Sequence, residues 1–214
     1  MFIEIVEAFR CPRPHELMWL VASADRLEDR DILAGELGCP VCGARYPIVD
    51  GIADFRGAGA PPPPAPQIVP TDHGARGLRA AALLGLTEGG GLVVLAGEWA
   101  DAAHDVAALA ERVHVLAVDP LGVVSSGAGV SIARAPDALP LRPESVRAMA
   151  VDAAHATEHF LASTVAALRP SGRLLLPTAS PLPHGIVERA HDAHDRLGEK
   201  HDLTTLARAP RPLR

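Results

Sequence analysis

Aromatic residues are scarce in this sequence, with four phenylalanines, two tryptophans and one tyrosine in 214 positions. A protein so poor in π-faces has little from which to build base-stacking platforms. Positive charge is also in deficit, because the formal net charge is −6. That balance argues against an autonomous nucleic-acid binder, which needs a basic surface to displace counterions from phosphates. No apolar run approaches the roughly 20 residues of a membrane span. The start, "MFIEIVEAFRCPRPHE", carries no basic leader followed by a long apolar stretch, so a soluble cytoplasmic protein is expected. Cysteine is limited to Cys11, Cys39 and Cys42. An odd count without a secretion signal favours metal or thiol chemistry over a disulfide framework.

What the chain does have is a hydrophobic fraction of 48% over a length that accommodates two modules. The boundary falls at "GAGAPPPPAPQIVP", residues 57–70, where consecutive prolines favour an extended, semi-rigid spacer. The expected organisation is a small domain at 1–56, the spacer at 57–70 and a larger domain at 71–214. In the small domain, a strand is expected at Phe2 to Glu7, a polar helix near Glu16 to Ala24, a turn at Cys39 to Gly43 and a strand and turn in "RYPIVDGIADF". In the larger one, "ARGLRAAALLGL" has helical spacing, and "LVVLAG", "VHVLAVD", "VSIAR", "SVRAMAVD" and "GRLLLPT" read as strands, with helices at Asp101 to Arg112 and in "TEHFLASTVAALR". Alternation of strands and helices predicts an α/β fold, a parallel sheet with helices on both faces.

"CPVCG", from Cys39, has the form of a zinc knuckle: two thiolates converge from one tight turn, and Gly43 can take a backbone conformation closed to other residues. A tetrahedral site needs two more ligands. Cys11 offers one; three residues later stands Pro14, and His15 is the candidate for the fourth, giving Cys11, His15, Cys39 and Cys42. A redox dithiol and a metal-free remnant are the competing readings, although a redox pair normally opens a helix. About 56 residues bury little core, which makes a structural metal worth having. "RCP" and "LGCPVCGARYPIVDGIADF", in that order over residues 2–56, resemble the small zinc-ribbon subunit that binds and activates tRNA and protein methyltransferases. The resemblance implies that "YPIVDGI" belongs to a module that docks on a methyltransferase. Pro14 departs from the family's first knuckle.

The larger module resembles a class I S-adenosylmethionine-dependent methyltransferase. "LVVLAG", "VHVLAVDP" and "PDALPLRPESVRAMAVDAAH…LASTVAALRPSGRLLLP" carry the likeness over most of residues 75–178. It implies a cofactor site at the carboxyl ends of the strands, with Gly97 in the first loop, Asp119 toward the ribose hydroxyls and Asp137 toward the adenine. Both aspartates also suit plain turns. The family's first loop carries an acid in the strand and three close glycines; here those positions hold Leu95, Gly97, Trp99 and Asp101. An indole at the second position is expected to occupy cofactor space. Asp101 is expected to lie near the methionine carboxylate or to cap the next helix. The family completes its sheet with an antiparallel hairpin, whereas "HGIVERAHDAHDRLGEKHDLTTLARAPRPLR" reads as a polar helix and a proline-rich tail. The sheet is therefore expected to be short by one or two strands, truncated at its C-terminal end, leaving an edge for the ribbon or another subunit to cover.

His184, His191, His194 and His201 read as members of a solvated face rather than metal ligands. Asp152 and His155, in "VDAAH" at the end of the fourth strand, sit where substrate or a base is often placed. Together these features predict a degenerate, non-catalytic methyltransferase-like protein that binds a protein partner, as accessory, activator or self-associating scaffold, with structural zinc. An active methyltransferase that holds S-adenosylmethionine through Asp119 and Asp137 is the rival, and a nucleic-acid-facing ribbon protein is a third reading that the acidic balance disfavours.

Overall fold

The computed structural model describes residues 1–57, 60–62, 65, 72–87 and 89–201, and most of the proline spacer lies outside them. In chain order the elements are β1 (Val21–Glu28), β2 (Asp31–Gly38), β3 (Arg45–Val49), β4 (Ile52–Asp54), α1 (His73–Leu84), β5 (Gly91–Ala96), α2 (Ala103–Leu109), β6 (Val113–Val118), β7 (Val130–Arg134), β8 (Val146–Ala150), α3 (Glu158–Ala167), β9 (Leu168–Pro177), β10 (Ile186–His191) and β11 (Asp195–Lys200). Short 3-10 helices occupy Ile3–Ala8 and Gly97–Ala102. Among the described residues no helix is long and apolar enough to cross a membrane.

The strands form one sheet in the order β1-β2-β3-β4-β7-β6-β5-β8-β9-β11-β10. Numbered from β5, the larger module runs 3-2-1-4-5-7-6, parallel except for its seventh strand, β11, which is antiparallel to β9. This is a methyltransferase-type Rossmann-like sheet. β5, β6 and β8 are apolar nearly throughout because α1 and α2 cover one face and α3 the other, so neither face of these strands meets water. Thr157 starts α3 by accepting the Phe160 amide through its hydroxyl at 3.4 Å.

Three local expectations are corrected. The stretch Phe2 to Glu7 is a 3-10 helix, with Ile5, Val6 and Ala8 turned into the core. Residues expected as a polar helix near Glu16 to Ala24 instead lead into β1, whose outer side faces solvent. The C-terminal segment expected as a helix is the hairpin β10–β11, so the antiparallel pair that the resemblance implies is present. Arg79 of α1 ties its turn down by donating to Asp192 at 2.6 Å and Asp195 at 2.8 Å.

The two modules are not merely tethered. β4, the last ribbon strand, pairs in parallel with β7 through Ile52–Ile132, Ala53–Ala133 and Asp54–Arg134. The chain from β7 to β8 runs without a helix, and the ribbon takes over the cover that a helix would supply: Phe9 bridges Leu141, and Phe9, Phe55, Leu139 and Leu141 share one buried cluster with Phe160 of α3.

Candidate functional site

Two groups of chemistry-bearing side chains stand out, one in the ribbon and one at the carboxyl ends of the parallel strands.

In the ribbon, one ligand atom from each of Cys11, His15, Cys39 and Cys42 lies within 4.8 Å of the others. The turn is closed by the Gly43 amide donating to the Cys39 carbonyl at 2.9 Å, with Gly43 at φ +68°, and by the Cys39 amide donating to the Ala44 carbonyl at 2.8 Å. A tetrahedral zinc ion with bonds of about 2.3 Å to sulfur and about 2.0 Å to nitrogen sets sulfur pairs about 3.8 Å apart and sulfur–nitrogen pairs about 3.6 Å apart. Cys11 Sγ is 3.7 Å from Cys42 Sγ, and Cys39 Sγ is 3.5 Å from His15 Nε2. His15 Nδ1 contacts the Glu16 carbonyl oxygen at 2.6 Å, which holds the ring with Nε2 toward the sulfurs, a usual outer-shell arrangement for a metal-bound imidazole. Burial opposes ionisation of Cys39, but the Cys42 and Val41 amides aimed at its sulfur outweigh it and draw the thiol down to about 7. The Tyr46 hydroxyl lies 3.5 Å from Cys11 Sγ, and burial pushes its phenol well up, so it remains a donor. The donor set is compatible with zinc. Tyr46 was not anticipated; its position in an alternating strand one turn after the knuckle was the available signal.

At the strand ends, Gly97 follows β5, Asp119 follows β6, and Asp152 and His155 follow β8. The order of strands reverses between β5 and β8, the place where such sheets open a crevice. Asp152 spans that opening: one carboxylate oxygen accepts the Glu98 amide at 3.1 Å and the other accepts the His155 amide at 3.0 Å. His155 Nδ1 donates to Asp152 at 2.7 Å, and Nε2 faces Asp119 Oδ2 at 3.6 Å. Asp119, with φ 48°, also accepts the Ala135 amide at 3.2 Å. Burial works against charging His155, yet its contacts to Asp119 and Asp152 prevail and raise it to about 9, so the ring is an imidazolium at neutral pH. Burial likewise opposes the Asp152 charge, and the His155 side chain with the Glu98 amide overcomes it, holding this carboxyl below its ordinary value.

The row of charge continues into the ribbon. Arg134 lies 3.9 Å from Asp119, and Asp54 at the end of β4 holds Arg56 at 2.7 Å. Asp137 is exposed in the bend after β7 and takes no part in this group.

The expectation about Trp99 is corrected. Its indole is 5% exposed, buried in the cluster with Ala80, Ala81 and Leu84 of α1, and the Arg76 guanidinium sits 6.0 Å from the ring centre. The indole fills helix-side core rather than the crevice. Asp101 does not cap α2; it accepts the Gly122 amide at 2.8 Å and fastens the loop that leaves the carboxyl end of β6. The side chain that does lie against Gly97 is Asp152, which in turn holds His155. Among the remaining histidines, His191 pairs with Glu188 at 2.7 Å on the exposed β10, and no metal cluster other than the cysteine group occurs among the described residues.

No curated protein matches the chain. Among solved structures it is similar to the antibiotic-resistance methyltransferase Kmr, at 14% identity over 57% of this chain and 93% of that one, with a TM-score of 0.41. It is also similar to phosphoethanolamine N-methyltransferase 2 of Haemonchus contortus, at 16% identity over 51% of this chain and 30% of that one, TM-score 0.41. The MycE methyltransferase of mycinamycin biosynthesis is similar at 8% identity over 60% of this chain and 48% of that one, TM-score 0.44. The chain thus spans under a third of the Haemonchus enzyme. These likenesses are distant, and the fold rests on the strand order itself. Residues 7–51 match the Trm112p-like protein family, so the chain joins a Trm112p-like ribbon to a methyltransferase-type sheet.

Proposed function

We propose that this chain is a non-catalytic, methyltransferase-like protein that acts by binding another protein, with its ribbon serving its own sheet. One observation carries the reading: Asp152 and His155 occupy the opening at the switch point, taking the Glu98 amide and facing the Asp119 carboxylate that a cofactor would need. A ligand entering there would have to displace a charged pair held by hydrogen bonds, leaving a buried carboxylate unmatched, which is costly.

The pairing of β4 with β7 shapes the kind of accessory this is. The ribbon strand that could dock on a separate methyltransferase is already engaged within the chain, so association through other surfaces is favoured. Calorimetric titration with S-adenosylmethionine tests the proposal. No heat of binding is expected up to millimolar concentration. Micromolar binding that disappears in Asp119→Ala would establish a cofactor-using protein and remove the non-catalytic reading.

A further inference from the structure

Three extended pieces meet where the ribbon abuts the larger module. Residues 8–10 pair with 140–142 through Phe9 and Leu141, the Arg10 amide donating to the Pro140 carbonyl at 2.9 Å and the Arg142 amide to the Ala8 carbonyl at 2.7 Å. On the other side Arg10 bridges Trp19. Alternation buries Phe9, Leu20 and Leu141 on the inner side and sets Arg10, Trp19 and Arg142 on the outer one.

That outer face is unusual for an acidic chain with two tryptophans. Trp19 is 60% exposed, and Leu17 beside it is 63% exposed. Cavities of about 250 and 290 Å³ flank the indole, and both are lined by Trp19 and Arg142. Among the described residues the Arg10 and Arg142 side chains make no hydrogen bond or ion pair, and the Nε of each is buried without a partner. Glu144 lines the first cavity with Arg10, Glu7 lines the second, and Arg142 is shared by both, so each cavity carries one acid beside the arginines. With no acceptor for either guanidinium among the described residues, the two arginines that line the first cavity hold unmatched positive charge beside it, and guanidinium forks match carboxylates best. An exposed Trp and Arg together form the kind of patch that dominates binding energy in protein interfaces.

We infer that this groove binds an extended segment of a protein partner that carries a carboxylate at its centre between apolar side chains. The carboxylate meets Arg10 and Arg142 while its apolar neighbours pack on Trp19 and Leu17. The acid in each cavity repels a uniformly acidic segment, so selection is for a single central acid. The inference rests on the reading of the chain as a protein-binding one and gives that reading a place.

Labelled peptides on the full-length protein test it, each with alternating Leu and Thr around a central Asp, Glu, Asn or Lys, read by fluorescence anisotropy. The Asp and Glu peptides are expected to bind at least tenfold more tightly than the Lys peptide. Arg10→Gln with Arg142→Gln should erase that preference, Trp19→Ser should weaken all four peptides, and Glu7→Gln with Glu144→Gln should admit peptides of higher negative charge. Equal binding of the four, or none, overturns the proposal. So does a dimer in sedimentation that Trp19→Ser dissolves, because the groove would then seat a second copy. Trp19→Ser alters an exposed side chain, which keeps the test independent of any folding defect in the arginine variants. The titration with S-adenosylmethionine is separate, so failure here and failure of the non-catalytic reading are distinguishable.

Discussion

Gly97 and Asp152 are locked together: a Cβ added to Gly97, which sits at φ +63°, would overlap the Asp152 carboxylate. The glycine that a nucleotide-binding loop would keep for the approach of a ligand is here kept for the approach of the protein's own side chain.

Gly97→Ala is therefore expected to cost about 3 kcal/mol or more, combining left-handed strain with displacement of a buried, hydrogen-bonded carboxylate. Asp152→Ala alone removes the acceptor of the Glu98 amide and the partner of His155. If the close approach is the cause, the double variant is less destabilised than the two single changes added together, by about 1 kcal/mol or more. Chemical denaturation of the four proteins measures this. Strict additivity would show that the loop does not feel Asp152.

A charged His155 makes stability depend on pH in a defined direction. Its folded value, about 9, lies above the ordinary 6.5, so its contribution is complete below about 6.5 and fades as pH climbs through 9. Asp152 is held below its ordinary 3.8, so its contribution is present above that value and fades as acid takes the folded group down through its lowered one. The ion-paired group is thus strongest from roughly pH 4 to 6.5. Allowing for partial exposure, the His155 contribution is about 2 kcal/mol. Over pH 6 to 10 the urea midpoint of the natural protein should fall relative to that of His155→Asn, which keeps every other group that titrates in that range. A difference between the two proteins that does not shrink as pH rises would contradict a charged ring.

How much of this was legible in the sequence follows from burial. β5, β6 and β8 announce themselves because both of their faces are covered, so Val93, Val94 and Leu95 appear as an unbroken apolar run. β10 and β11 give no such signal. Only Ile186 and Gly198 in them are buried, and their charged residues happen to recur at helical spacing. Their strand identity comes from the pairing of β11 with β9 and of β10 with β11, and from Arg79, more than 100 residues away along the chain, which holds the turn between them. The cysteine group was readable because its ligands sit in two short local motifs. The Asp119–His155–Asp152 group was visible only as residue types at strand ends; which of them meet is decided by the sheet's order. Trp99 was misread because the loop pattern fixes its position and not the side to which it turns.

One cluster of buried residues runs from Phe9 and Phe55 in the ribbon to Leu139 and Phe160 in the larger module. A shared core with a shared sheet should unfold as one unit, despite the proline spacer between the two parts. Scanning calorimetry is expected to give a single transition with equal calorimetric and van't Hoff enthalpies. Ala53→Glu, which puts a carboxylate at a position 0% exposed between β3 and β7, should cost about 3 kcal/mol or more and split or broaden that transition. Two separate transitions in the unmodified protein would mean that the β4–β7 pairing contributes little.

The metal group offers the last test. Three thiolates and one imidazole at tetrahedral separations should bind one equivalent of zinc, and cobalt(II) in its place should show thiolate-to-metal absorption of a tetrahedral site. Structural zinc contributes on the order of 10 kcal/mol in isolated fingers. In this chain Tyr46 packs on Phe55 and Phe55 on Phe9 of the shared core, so part of the ribbon's order comes from docking. Chelation is therefore expected to lower the melting temperature by tens of degrees without abolishing the β-rich circular dichroism of the larger module. Cys42→Ser should reduce affinity at least a hundredfold, whereas Val41→Ala, at an exposed side chain of the same turn, should leave it unchanged. Less than half an equivalent of zinc in protein purified without chelator would exclude the four-ligand site, and would assign the lowered Cys39 thiol to the knuckle amides alone.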